Sequence, residues 1–279
     1  MRIGVLHPGE MGASVAASLL AGSHEVAWCS AGRSEHSHTR AVELREFSQL
    51  DDLVAWAEVL ISVCPPANAL QQAQAVQACA FDGLYVDANA IAPATALAIA
   101  QLMGAAYVDG GIIGPPAWQP GTTRMYLSGN NANVVAALFT DAVLDAIAIP
   151  QAEVDEAAAS ALKMAYAAYT KGHSALLLAA NALAHNSGVL DVLRSEWELS
   201  LPGLGQRSEI TAQAISAKAW RFVGEMQEIS ATFAGAGLPA EFHNGAAELY
   251  ARLSEFKDQP PASLDKLLDV LAQAEDTTG

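Results

Sequence analysis

The residues with most chemistry to offer begin at the amino end. His7-Pro8-Gly9-Glu10-Met11-Gly12 joins a short apolar run, Arg2–His7, to small and apolar residues at helical spacing from Glu10 to Ala21. A turn between a strand and a helix uses one glycine to bring backbone close to a pyrophosphate. A second glycine, three residues on, lets the helix pack against its strand. Gly9 and Gly12 fill those places, and Pro8, Glu10 and Met11 supply the backbone around them. His7 stands where the full fingerprint has its first glycine, so the pattern is incomplete, and a purely structural tight turn is the competing reading.

The end of the second apolar run decides what such a turn would hold. Dinucleotide sites selective for NAD place Asp or Glu there, about 20 residues past the turn, against the ribose 2′-hydroxyl. Here the segment reads Trp28-Cys29-Ser30-Ala31-Gly32-Arg33-Ser34, with no carboxylate before Glu35. Arg33 offers a planar guanidinium to a 2′-phosphate, and Ser30 and Ser34 add donors. This favours NADP over NAD; the alternative is a solvated polar loop.

A nicotinamide cofactor carries the hydride itself, so the protein needs one positioned acid-base group at the substrate oxygen. Lys163 is the one charged residue between Glu156 and Lys171, in a run of alanines and other apolar residues. Burial and a neighbouring cation can lower a lysine's pKa enough for that work. The alternative is a stem packed along a helix with its ammonium in water. Tyr166 and Thr170, three and seven residues on, share its helical face, and Tyr166 is a second candidate proton donor or a core residue. Asn89 can donate and accept, so it suits nicotinamide or substrate, unless it only forms an Asx turn before Pro93. Arg124, Lys218 and Arg221 are candidates for an anionic substrate group or for surface ion pairs. His173, His185 and His243, with Cys29, Cys64 and Cys79, have no metal-ligand spacing, and no metal is expected.

These groups must be placed by the elements around them. Short apolar strands are expected at Arg2–His7, His24–Trp28, Glu58–Val63, Leu84–Asp87, Ala106–Asp109, Arg124–Ser128 and Ala146–Ile149. Helical stretches at Glu10–Ala21, Leu50–Trp56, Ala67–Ala80 and Pro93–Met103 alternate with them. That alternation predicts an α/β fold with a Rossmann doubly wound parallel sheet over residues 1–150. Glu153 to about His185 has no proline and one glycine, Gly172, and is expected to form a long interdomain helix. Further helices, punctuated at Pro202-Gly203, Gly235–Pro239 and Pro260-Pro261, make residues 151–279 an all-α substrate and dimerisation domain.

A formal charge of -16 excludes a nucleic-acid surface, and any anionic ligand must be held by a local device. Ala88–Val108 lacks charge, but Asn89, Pro93, Gln101 and Gly104 interrupt it, so no membrane span is expected. The opening Met-Arg-Ile-Gly-Val runs straight into a strand without the pattern of a signal peptide, which places the chain in the cytoplasm. Its cysteines then read as core residues of a reducing compartment.

With its turn in place, the chain resembles the β-hydroxyacid dehydrogenase superfamily, which includes 3-hydroxyisobutyrate and 6-phosphogluconate dehydrogenases. Gly9-Glu10-Met11-Gly12 is similar to the family's opening turn, and Val63-Cys64-Pro65-Pro66 to its cofactor loop. Asp87-Ala88-Asn89-Ala90-Ile91-Ala92-Pro93 matches its D-x-S-x-x-x-P segment. The resemblance implies that Cys64, Pro65, Pro66 and Asn89 contact cofactor and that Lys163 is the catalytic lysine. It also implies that Ile113 and Gly114, within Asp109–Pro115, line the substrate site. Three positions depart: Asn89 and Ile113 stand in place of serines, and Ala167 in place of the asparagine four residues after the lysine. Lys218–Met226, with Gly237-Leu238-Pro239, looks like the branch whose phosphogluconate dehydrogenase-like C-terminal domain has an undefined substrate. Relatives with a long interdomain helix pair as homodimers. The resemblance implies an NADP-dependent oxidoreductase acting on a small hydroxyl or carbonyl compound with Lys163 as acid-base. The alternatives are an imine reductase-like enzyme using Tyr166 and a non-catalytic NADP-binding protein.

Overall fold

The computed structural model describes residues 1–150, 156–259, 261 and 263–272. They divide into two compact units, Met1–Met164 and Ala165–Gly279.

The first unit is built on eight strands among the described residues: β1 (Arg2–Val5), β2 (Glu25–Cys29), β3 (Arg45–Phe47), β4 (Val59–Ser62), β5 (Leu84–Asp87), β6 (Tyr107–Ile113), β7 (Arg124–Ser128) and β8 (Asp145–Ala148). They form one sheet in the order β3-β2-β1-β4-β5-β6-β7-β8. The first six run parallel; β7 reverses against β6, and β8 runs alongside β7. Ile3–Val5 of β1 and Val59–Ile61 of β4 carry no polar side chain because both faces of this sheet are covered, and Ile3, Val5, Val59, Leu60 and Ile61 are fully buried. Between the strands lie α1 (Glu10–Ala21), α2 (Glu35–Arg40), α3 (Leu50–Trp56), α4 (Ala69–Ala78), α5 (Pro93–Met103) and α6 (Ala132–Ala137). The alanines of α1, α4 and α5 let these helices lie close over the strands, and Ala16, Ala69, Ala73 and Ala96 are at most 1% exposed.

The expected doubly wound sheet followed by helices is thus the fold observed. Three elements add to the expectation, α2, β3 and α6. Arg45-Glu46-Phe47 carries one apolar side chain on an edge strand, too little to mark it by alternation. β6 also runs four residues further than its apolar core suggests, through Gly110 and Gly111. These glycines are not turn residues. A Cβ on Gly111 would come within 2.5 Å of the Ala159 carbonyl oxygen and 3.1 Å of Lys163 Cβ. The bare strand is what lets a helix lie against it.

That helix is α7 (Ala158–Asn186), about 44 Å long at 1.5 Å per residue. The expected start at Glu153 lies outside the described residues. Its first turn is tied to the sheet by buried polar groups. Asp109 Oδ2 accepts from Ser160 N at 2.7 Å, and Ser160 Oγ donates to Asp109 Oδ1 at 2.6 Å. Ser128 Oγ donates to Asp109 Oδ2 at 3.1 Å and accepts from Ala159 N at 3.0 Å. A carboxylate at the amino end of a helix also meets the positive end of its dipole.

The second unit is helical: the rest of α7, then α8 (Leu190–Ser200), α9 (Leu204–Ser216), α10 (Ala219–Gly235), α11 (Glu241–Arg252) and α12 (Leu264–Ala272). Lys171 of α7 pairs with Glu225 of α10 at 2.6 Å, both largely shielded, and Tyr250 of α11 donates to the Lys171 carbonyl at 2.6 Å. Among the described residues no helix is long and apolar enough to cross a membrane.

Candidate functional site

Sheet register brings the candidate residues of the first unit to one edge. Val5 is level with Ile61, Ile61 with Val86, and Asp87 with Asp109. Two residues beyond that level, at the carboxyl ends of the parallel strands, come Cys64 after β4, Asn89 after β5 and Gly111 on β6. The His7–Gly12 turn leaves β1 at the same edge. Strand order reverses between β1 and β4, and open α/β sheets bind ligands outside the carboxyl ends at such a point.

The turn has the form its spacing predicts. A Cβ on Gly12 would collide with the His7 carbonyl oxygen, so α1 can lie this close to β1 only with glycine there. A Cβ on Gly9 would meet no described atom within 4 Å, leaving the helix mouth open. The first amides of α1 have no partner within the helix and face this space, as in sites that cradle a diphosphate. Pro8 is buried, and Met11 is fixed by Ser14, whose Oγ donates to the Met11 carbonyl at 2.8 Å. The same Oγ accepts from Ala117 N at 2.9 Å, holding the segment after β6 beside the turn.

Arg33 follows β2 in a turn closed by Arg33 N donating to the Ser30 carbonyl at 3.1 Å, with Gly32 at φ 69° in the left-handed region. Its guanidinium is half-buried, and Nε is buried without a hydrogen-bond partner. Among the described residues no carboxylate forms an ion pair with it. Burial lowers its pKa, as expected for a cation without a counter-charge. Ser34 is occupied as the N-cap of α2, accepting from Ser37 N at 3.4 Å, and Ser30 Oγ donates to the Phe47 carbonyl at 3.4 Å. Glu10, in the first turn of α1, faces Arg40 at 3.9 Å.

Asn89 is placed differently from an Asx-turn residue. Its Oδ1 accepts from Cys64 N at 2.5 Å and its Nδ2 donates to Ser62 Oγ at 3.1 Å. The Asx turn belongs to Asp87, whose Oδ1 accepts from Asn89 N at 3.0 Å. Asn89 therefore locks the Cys64-Pro65-Pro66 loop to the end of β5. Cys64 is no nucleophile: burial pushes its thiol up to about 11.

Lys163, half-buried, rises from α7 directly over Gly111 of β6. Ile113 ends β6 buried, level with Arg124 at the start of β7, and Gly114 follows, backed by Thr122 and Thr123. Tyr166, one turn along α7, is 48% exposed, whereas Ala167 is 1% exposed. Lys218 and Arg221 belong to the other unit, at the start of α10. Among the described residues no group of three or more His, Cys, Asp or Glu side chains could hold a metal.

Sequence reasoning missed Asp109, Ser128, Ser160 and Ser14, which position the site without touching a ligand. Their only signal was a polar residue at the end of an apolar strand or amid alanines. It also treated His7 as a gap in a motif. The imidazole is largely buried, its Nδ1 has no partner, and burial with the nearby Arg33 lowers its pKa to about 4.

A Rossmann-like sheet with a glycine turn at the mouth of α1, a lysine-bearing helix over β6 and a helical second unit define a dehydrogenase-like fold. Residues 184–253 match a family model described as "Domain of unknown function (DUF1932)". An uncharacterised 28.5 kDa protein from Methanothermus fervidus is 33% identical over 196 residues, 69% of this chain and 74% of its own length. The structure of a conserved protein described as similar to 3-hydroxyacid dehydrogenases aligns with TM-score 0.69 and 25% identity, over 92% of this chain and 98% of that one. Mycobacterium tuberculosis 3-hydroxyisobutyrate dehydrogenase aligns with TM-score 0.70 and 16% identity over 98% and 99%. An Aspergillus terreus reductive aminase, solved with NADPH and ethyl levulinate, gives 0.54 and 18% over 96% and 98%. The chain belongs to the family of the Methanothermus protein, and its fold is similar to that of the 3-hydroxyacid dehydrogenases.

Two buried carboxyls generate a pH prediction. Burial, with Asp109 nearby, pushes Asp87 up to about 7 from 3.8, against the hydrogen bonds from Asn89. Between those values the native state holds a proton that the unfolded chain has lost, so this contribution to stability falls as pH rises. Asp87→Asn removes the ionisation and is expected to gain roughly 2–4 kcal/mol relative to wild type on going from pH 4 to pH 8. Urea midpoints at the two pH values read this; an unchanged difference between the proteins sinks the assignment.

Proposed function

We propose that the chain is an NADP-dependent oxidoreductase acting on a small hydroxyl- or carbonyl-bearing compound, with Lys163 as its acid-base group. One observation carries the reading. The open glycine turn, the Asn89-locked loop and Lys163 over Gly111 stand along one carboxyl edge, with a half-buried arginine that has no carboxylate partner among the described residues. An unpaired, partly desolvated guanidinium is costly to keep in a folded chain, so its position favours an anion-binding role. Phosphate suits it because the planar fork matches its oxygens.

The residues fit the cofactor as follows. Amides of Gly9, Glu10, Met11 and Gly12, with Pro8 behind them, hold the diphosphate. Arg33 takes the 2′-phosphate, with Ser30 and Ser34 as lesser donors, and NAD lacks that contact. Cys64, Pro65 and Pro66 line the path of the dinucleotide, in the loop that Asn89 fixes. The bound nicotinamide supplies or accepts the hydride. Lys163 Nζ gives a proton to the carbonyl oxygen on reduction and takes it from the hydroxyl on oxidation. Ile113, Gly114 and Asn89 bound the substrate space.

A second reading, imine reduction with Tyr166 as proton donor, is favoured by three side chains. Ile113 and Ala167 are apolar and Asn89 is engaged by Cys64 N and Ser62 Oγ, so carboxylate contacts usual in hydroxyacid dehydrogenases are lacking. Tyr166 keeps its hydroxyl on an exposed helix face.

The partner we infer is a second copy. Leu162, Tyr169, Leu176 and Leu183 recur every seven residues along α7 and are 39, 73, 56 and 69% exposed. A seam of that period on a helix of this length fits another helix.

Arg33→Ala should weaken NADPH at least tenfold more than NADH, a loss of about 1.4 kcal/mol or more. Equal weakening, measured by fluorescence titration, removes the phosphate role. On a panel of small carbonyls and cyclic imines, Lys163→Met should lose at least 100-fold in kcat, in line with general acid-base catalysis. Full imine turnover in that variant together with failure of Tyr166→Phe transfers the assignment to Tyr166. Leu176→Asp should convert a dimer to a monomer in sedimentation velocity; a wild-type monomer at all concentrations refutes the pairing.

A further inference from the structure

His7 occupies the place of a glycine, and its side chain is not idle there. It leaves β1 as Arg33 leaves β2, and the two strands are parallel neighbours, with Gly4 level with Ala27. Arg33 N closes a turn on the Ser30 carbonyl, and the guanidinium lies close enough to His7 to lower its pKa electrostatically. Each of the two side chains buries a nitrogen that finds no partner, Nδ1 of His7 and Nε of Arg33. Two nitrogens shielded from water and without a partner each cost stability until a ligand satisfies them. An imidazole and a guanidinium repel each other when both are charged, so no ion pair between them explains the arrangement. A ligand with several anionic oxygens does.

We propose that His7 is a specificity residue that shares the phosphate monoester with Arg33 and takes up one proton from solvent as it binds. The proposal rests on the reading of Arg33 as the 2′-phosphate site. Without ligand the imidazole is neutral at physiological pH, because burial and the adjacent guanidinium both disfavour its charge. A dianionic phosphate monoester reverses that balance: it offsets the Arg33 charge and accepts a hydrogen bond from the imidazole N–H, so the imidazolium becomes the stable form. The other charged or titratable groups around this edge do not supply the counter-charge. Cys29 on β2 and Cys64 after β4 are coupled to Arg33, and the Cys64 thiol stays protonated. Glu10 of α1 faces Arg40 of α2, and Asp87 of β5 lies buried one strand beyond β4 with its proton held to about pH 7. NADH has no group to recruit the proton.

Titration calorimetry with NADPH and NADH at pH 7, in buffers of different ionisation enthalpy, tests this. Wild type should take up between half and one proton per NADPH and none per NADH. Its NADPH affinity should fall with rising pH around and below neutrality, by up to about tenfold per unit, the limit for one linked proton, and level off once the bound imidazolium has lost its proton. His7→Gln keeps a neutral donor and should abolish the uptake, flatten that slope and leave NADH affinity within about twofold. NADPH binding without proton uptake, or a His7→Gln variant that loses NADPH and NADH alike, overturns the role of His7 while leaving Arg33 standing. Failure of wild type to bind either nucleotide removes the dinucleotide reading and this proposal with it.

Discussion

The Asp109 carboxylate is the contact on which the placement of this site depends. It is buried between β6 and the first turn of α7, and three hydrogen bonds from Ser160 and Ser128 converge on it. Burial alone would drive such a group neutral, and it does raise Asp109 to about 6 against those donors. The donors and the helix dipole keep an ionised form affordable near neutrality, where an unsatisfied carboxylate would cost several kcal/mol. The consequence is positional. Ser160 is locked to the sheet, Lys163 follows three residues later, and its Cβ is seated over Gly111, where a side chain on the strand would lift the helix away.

Polar side chains buried at strand ends repeat this device along the edge. Asn89 ties the loop after β4 to β5, Asp87 shapes the turn that presents Asn89, and Ser14 ties the segment after β6 to α1. None of these residues needs to touch a ligand to matter. Loops that would otherwise drift by ångströms are fixed by charge-assisted or buried hydrogen bonds, which are stronger where water is excluded.

The parts of the fold carried by apolar periodicity and glycine spacing were legible in the amino-acid sequence: β1, β4, β5, the turn at Gly9 and Gly12, and the long helix. These features are local, so residues near in the chain specify them. β3 was not legible because a three-residue edge strand with one phenylalanine has no pattern to detect. The length of β6 was hidden for the opposite reason: Gly110 and Gly111 resemble a turn, and only the helix packed against them explains why side chains are missing. Asn89 was visible as a polar residue, but its partners Cys64 and Ser62 lie about 25 residues away in sequence. Long-range hydrogen bonds leave no mark on local periodicity.

His7 tests how much of the glycine fingerprint is steric necessity. In the usual motif each glycine answers a separate demand, and here only one demand is met by backbone contact alone. The helix approaches the strand at Gly12, and what it approaches is the carbonyl of residue 7, not its side chain. A Cβ at residue 7 therefore leaves the helix packing intact, and the constraint that remains at that place is set by whatever occupies the mouth of the turn. An imidazole there places a largely buried, titratable side chain at the mouth of the turn. In a chain of formal charge -16, that exchange places two nitrogen bases at the one edge where an anion has reason to come.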